Sequence, residues 1–178
     1  KVIQKAFKDC LKTKIDEIKR YSQDIGVKLH TESKTELLAL QGQLQGELAQ
    51  GNKDFSIMKA VSLCAEAIKV QHALELLETQ GITALYIYLN NVQAQAQTST
   101  VKAVQNLVKD PYFRAAYVHT QLLYEQKKEH PKMDKLKSLV QEKCSTPDYK
   151  LIVFTQYRDS GVKIAEELNQ LSGINAHL

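Results

Sequence analysis

Residues Asp54 to Gly81 read DFSIMKAVSLCAEAIKVQHALELLETQG. Ile57, Val61, Cys64 and Ile68 recur every three or four positions and Leu74, Leu76 and Leu77 continue them, the spacing of a single helix with an apolar stripe. The helix begins near Asp54, and Gly81 is well placed just beyond its end. Its apolar surface is wide, as expected of the central helix of a bundle.

Working upstream, Ile3, Phe7, Leu11, Ile15 and Ile18 line one side of a helix from Val2 to about Ile25, with lysines over much of the other side. Ser33 and Glu36 match a capping box, and Leu37, Leu40, Leu44 and Leu48 carry a second helix to Gly51. Downstream, Leu85, Tyr86 and Leu89 mark a helix from Ile82 to about Gln97, where an alanine and glutamine stretch reads as an exposed helix end before the break at Thr98, Ser99 and Thr100. A short helix to Val108 follows. Asp110-Pro111 and His130-Pro131 each put proline where a first helical turn tolerates it, so two more helices start there. The first carries Phe113, Ala116, Tyr117 and Leu123, the second Met133, Leu136 and Val140.

At Ser145, Thr146, Pro147 and Asp148 a cluster of breaker residues ends this regime. Leu151 to Phe154 is a continuous apolar run, as in a buried parallel strand; Val162, Ala165, Leu168 and Leu171 have helical spacing up to Gly173; Ile174, Ala176 and Leu178 alternate as a second strand. The predicted architecture is mainly α: an antiparallel helical bundle over residues 1–146, then a strand-helix-strand piece of an α/β domain over residues 147–178.

With 178 residues and 43% hydrophobic content the chain can bury a core. The 24 basic and 20 acidic residues give a net charge of +4, which permits a polyanionic partner without identifying one. No apolar run approaches the roughly 20 residues that span a bilayer, and the amino terminus lacks the pattern of a signal peptide. Cys10, Cys64 and Cys144 are odd in number and lie in helical segments, which points to buried free thiols, not to disulfides or zinc. A start at Lys1 and a stop at Leu178 inside a strand are those expected of a piece of a longer protein.

The tail YKLIVFTQYRDSGVKIAEELNQLSGINAHL (Tyr149 to Leu178) resembles the start of the second RecA-like domain of superfamily 2 helicases, whose first strand carries motif IV. The segments HPKMDKLKSLV (His130 to Val140) and HALELLETQGITALYIYL (His72 to Leu89) are similar to the archaeal Hef family, helicase-associated endonucleases for fork-structured DNA, whose eukaryotic relatives are the Fanconi anaemia group M helicases. In that family a thumb-like helical insert sits between two motor domains and helps engage forks and four-way junctions. The resemblance implies that this chain is that insert plus the opening of the second motor domain. It implies a parent that needs ATP and magnesium, and a location in the cytoplasm and nucleoid if archaeal or the nucleus if eukaryotic. The chain has no glycine-rich phosphate loop with its lysine, no Asp-Glu box and no arginine-rich motif VI, so this piece carries no cofactor of its own and is not expected to hydrolyse ATP alone.

The resemblance to motif IV puts Thr155, Gln156, Tyr157 and Arg158 near a nucleic-acid path, at the carboxyl end of a strand where open α/β sheets place ligand contacts. A hydroxyl or guanidinium there can hold phosphate oxygens without reading sequence; a cap from Thr155 or Asp159 with a solvated Arg158 is the plain alternative. Lys127, Lys128, His130, Lys132 and Lys135 form a positive patch around a helix start that could hold a phosphate, and a solvated face explains them as well. Lys5, Lys8, Lys12, Lys19 and Arg20 interleave with Asp9, Asp16 and Glu17, which favours local ion pairing. Tyr86, Tyr88, Tyr112, Tyr117 and Tyr124 could stack on unpaired bases, though their helical placement favours core packing. No histidine sits at metal-ligand spacing or beside a nucleophile, so no metal site and no catalytic residue are assigned.

The expected partner is branched DNA, a fork or four-way junction, and not a membrane. The bare sheet edge of the tail is open to pairing with a second copy of the chain or to cover by its own helices. The rival reading is a non-catalytic helical module that docks a protein.

Overall fold

The structure is a computed structural model and describes residues 1–24, 26, 33–126, 131–144, 149–155 and 158–178. Eight helices lie among them, and the chain divides into two compact units, Lys1–Lys127 and Lys128–Leu178. The sequence boundary expected at 146 falls among residues 145–148, outside the described residues.

Two long helices form the spine of the first unit, α1 (Val2–Asp24) and α3 (Phe55–Thr79). Gln4 Nε2 donates to Glu78 Oε1 at 2.9 Å, Lys14 pairs with Glu66, and the Tyr21 ring meets Phe55 edge-on at 6.3 Å. Residue numbers fall on one helix as they rise on the other, so the two run antiparallel. One half of this spine, with Ile15 and Ile18 against Ile57, Ala60 and Leu63, is covered by Leu37, Leu40 and Leu44 of α2 (Lys34–Ala49). The other half, with Ile3, Phe7, Val70 and Ala73, is covered by α4 (Ile82–Thr98), α5 (Lys102–Lys109) and α6 (Pro111–Glu125). Ile57, Cys64 and Leu76 of the stripe read in sequence are buried, and the buried face of α3 extends to Ala60, Leu63, Ala67 and Val70, whereas Val61 and Ile68 pack from its flank.

The helix ends follow from side-chain chemistry. The Ser33 hydroxyl accepts from Glu36 N at 3.2 Å, Asp54 Oδ1 from Ser56 N at 2.6 Å, and Asp110 Oδ1 from Tyr112 N and Phe113 N, each satisfying amides that a first turn leaves unpaired. Between α3 and α4 two connecting residues, Gln80 and Gly81, turn the chain, and Gly81 at φ 84 takes a conformation that a Cβ disfavours.

In the second unit α7 (Pro131–Lys143) buries Val140, and α8 (Arg158–Leu168) buries Leu168. Lys137 and Glu167 pair between the two helices. Residues 149–155 and 174–178 are non-helical, and no strand ladder is present among the described residues. A Cβ built at Gly161 would lie 3.3 Å from Thr155 Cγ2 and 2.9 Å from Leu178 Cδ2. The carboxyl ends of both segments therefore converge on the amino end of α8, the layout of a strand-helix-strand unit. The helix stops at Leu168, five residues before Gly173, where the Asn169 amide pairs with both backbone groups of Ala176, at 3.0 Å and 2.7 Å, and holds the chain reversal.

Candidate nucleic-acid contact residues

Lys132 and Lys135 are exposed on the first two turns of α7. Thr155 is exposed at the end of the apolar segment, packed by its methyl against Gly161, and Arg158 opens α8 with its side chain in solvent. The hydroxyl and the guanidinium thus sit at one helix start, whose unpaired amides carry partial positive charge. The lysines belong to the other helix of the same unit. Lys127, Lys128, His130, Gln156 and Tyr157 lie outside the described residues, and so does the side chain of Asp159.

On α1 the side chains of Lys5, Lys8 and Lys12 are exposed, separated by three or four positions and therefore aligned along one face. Lys14 departs from this pattern. Positions 3, 7, 10 and 14 form the buried stripe of α1, and Lys14 Nζ lies inside, 2.8 Å from Glu66 Oε2 and 3.0 Å from Asp110 Oδ2. Ser62 and Asn106 reach the other oxygen of Glu66 at 3.3 Å and 3.5 Å, while Asp110 also caps α6. This network joins α1, α3 and the α5–α6 junction at the seam between the two apolar clusters. Burial pulls the Lys14 ammonium toward its neutral form, but the hydrogen bonds and charges of Glu66 and then Asp110 outweigh it and raise its pKa. The signal was present in the sequence, since a lysine in register with Ile3, Phe7 and Cys10 faces inward and needs a partner.

Burial, followed by the negative charge of Asp110, raises the Cys10 thiol, and burial alone pushes Cys64 up to about 12. Both are inert thiols packed as small apolar groups. Among the described residues no group of three His, Cys, Asp or Glu side chains could hold a metal ion, and no helix is long and apolar enough to cross a membrane.

The five candidate tyrosines divide into three kinds. The Tyr88 hydroxyl donates to Lys69 O at 3.1 Å and its ring meets His72 edge-on, a partly buried packing role; burial raises its pKa to about 12. Tyr112 is exposed. Tyr86 of α4 stacks with Tyr124 of α6 at a centroid separation of 4.2 Å and lies nearly parallel to Tyr117 at 6.5 Å, forming a ring cluster that neither expectation anticipated.

Residues 1–130 match the family described as the helical bundle of a putative ATP-dependent RNA helicase. A putative ATP-dependent RNA helicase of Methanocaldococcus jannaschii is 33% identical over 145 residues, which cover 81% of this chain and 17% of that protein. The crystal structure of the Pyrococcus furiosus Hef helicase domain superposes with a TM-score of 0.81 at 32% identity, over 95% of this chain and 35% of that one. The chain thus spans about a sixth of the curated relative and about a third of the solved domain. On these matches and on its fold, the chain belongs to the helical-bundle family of Hef-type superfamily 2 helicases.

Proposed function

We propose that this chain is the helical insert and the opening of the second motor domain of an ATP-dependent DNA helicase or translocase that acts on forked or branched DNA in repair and fork restart. The observation that carries this reading is the order along the chain: a self-contained helical unit is followed by a segment in which exposed Thr155 and Arg158 crown the amino end of α8. The exposed apolar run from Leu151 to Phe154 would take its place beside further strands of the parent's sheet, where ATP and magnesium would bind residues outside this chain. Lys132, Lys135, Thr155 and Arg158, with Lys127, Lys128 and Gln156, would hold backbone phosphates, so that selectivity arises from duplex shape and not from base sequence. The insert would keep its grip while the motor domains open and close.

The protein-docking alternative draws on Val118 and Leu122, which lie exposed one turn apart on α6. Affinity for a fork, a four-way junction, a linear DNA duplex and a linear RNA duplex of equal length separates the readings. The branched-DNA reading predicts tightest binding to fork or junction, weakened several-fold by Lys132→Glu, Lys135→Glu or Arg158→Glu. Feeble and equal binding to all four duplexes would favour the docking module, and a preference for RNA would transfer the phosphate grip to the other nucleic acid.

A further inference from the structure

Tyr117 and Tyr124 are seven residues apart on α6, which places their rings about 10.5 Å apart along the helix. The Tyr86 ring fills that interval. Its centroid is 6.5 Å from Tyr117 and 4.2 Å from Tyr124, with interplanar angles of 19° and 22°. The three near-parallel rings therefore form a short column, with Tyr86 and Tyr124 in close contact and Tyr117 set further off. The Tyr117 hydroxyl is fixed by Asn90 Oδ1 at 2.8 Å, and Tyr124, 40% exposed, ends the column at the surface. Burial, and then the neighbouring Tyr86, raises the Tyr117 pKa, which keeps its phenol neutral.

We propose that the Tyr124 end of this column is a stacking platform for an unpaired nucleobase at the branch point of a bound fork. The proposal rests on the nucleic-acid reading above and deepens it, because it assigns contact with a base where that reading invokes only phosphates. A column of near-parallel rings is extended most favourably by another flat π system. The surroundings fit a base better than a phosphate or an apolar peptide. The 17 residues of α4 include no charged side chain, so the flank of the column beside Tyr86 is neutral. Glu125, held by Gln121 Nε2 at 2.9 Å, leaves a negative charge beside the platform that turns a phosphate away from it. The contacts of Lys14 with Asp110 and of Phe7 with Phe113 run α1 antiparallel to α6, so the amino-terminal lysines of α1 extend toward the Tyr124 end, where the backbone of a stacked nucleotide would emerge.

The test uses the whole chain, a fork with intact unpaired arms, the same fork with the first three unpaired positions of each arm made abasic, and a linear duplex. The abasic change should weaken wild-type binding about tenfold, the order of one base-aromatic stack. Tyr124→Leu should weaken binding to the intact fork equally, show no further loss on the abasic fork and leave duplex affinity unchanged. Tyr124→Phe, which keeps the ring, should behave as wild type. An abasic penalty that persists unchanged in Tyr124→Leu would overturn the platform while leaving the phosphate reading intact, and so would an equal loss on fork and duplex. If the wild-type chain binds neither fork nor duplex, the parent reading fails and the platform fails with it.

Discussion

The two compact units treat apolar residues in opposite ways. In the first, Phe7, Ile18, Leu63, Leu85 and Phe113 are fully enclosed or nearly so, and each helix finds its apolar stripe covered by another helix of the same unit. In the second, Ile152 is 78% exposed and Phe154 92%, and only Val140 and Leu168 are buried apolar side chains among its described residues. The difference is one of backbone accounting. A helix pairs its own amides and carbonyls and needs neighbours only for its side chains, whereas a strand needs a neighbour for both. A helical bundle can thus enclose its apolar side chains within a short chain, whereas non-helical segments such as residues 149–155 leave theirs exposed.

The largest effect expected from this contrast lies at the seam of the first unit. Lys14→Met leaves Glu66 and Asp110 as buried carboxylates without their cation and should cost about 3–5 kcal/mol in urea denaturation followed by helicity. Lys14→Met combined with Glu66→Leu should recover part of that loss, since two apolar groups of similar size leave less uncompensated charge. A loss within about 0.5 kcal/mol for the single variant would show that the network contributes no closure to the bundle. Next in size, Leu63→Ala should cost about 2–5 kcal/mol in the same assay, while Ile152→Thr in the second unit stays within about 0.5 kcal/mol. Equal costs at the two sites would erase the contrast.

This contrast also explains what the sequence made legible. Ser33, Asp110-Pro111 and the stop at Gly81 mark helix ends through local chemistry, so those ends are found from a few neighbouring residues. The spacing of Ile57, Cys64 and Leu76 found part of the buried face of α3, but Ala60 and Ala67, small and easily passed over, complete it and leave Val61 and Ile68 on its flank. The end of α8 at Leu168 depends on Asn169 reaching Ala176, a contact between segments that periodicity cannot register. The tyrosine column is hidden for the same reason. Tyr117 and Tyr124 share a face by their spacing, but the insertion of Tyr86 between them depends on how α4 and α6 are aligned. At the candidate site, Lys132, Lys135, Thr155 and Arg158 are exposed, as phosphate contacts require, and Lys127, Lys128 and Gln156 lie outside the described residues.

A smaller expected effect concerns alkaline pH. The Cys64 thiol ionises near 9.0 in an unfolded chain and near about 12 in the fold, so the unfolded state loses its proton first and stability falls as pH rises from 9.0 toward 12. Lys14 acts in the same direction at higher pH: its raised pKa means that its stabilisation is complete below its ordinary value of 10.5 and disappears as pH climbs through the folded value. Urea midpoints between pH 8 and 11 should decline, and Cys64→Ala should flatten the slope over its part of the range. A flat wild-type profile would contradict the burial assigned to these groups. The smallest perturbation is chemical: partly exposed Cys144 should react with a water-soluble disulfide reagent at once, and Cys10 and Cys64 only after unfolding. Equal rates for all three thiols would mean that the first unit opens as readily as the second.

If the chain grips the phosphates of branched DNA as proposed, its affinity for a fork must depend steeply on salt. The logarithm of the binding constant should fall linearly with the logarithm of salt concentration, with a slope of about −0.9 for each phosphate neutralised, and Lys132→Ala and Lys135→Ala should each reduce the steepness by about one. A slope near zero, or one that neither substitution changes, would contradict the account.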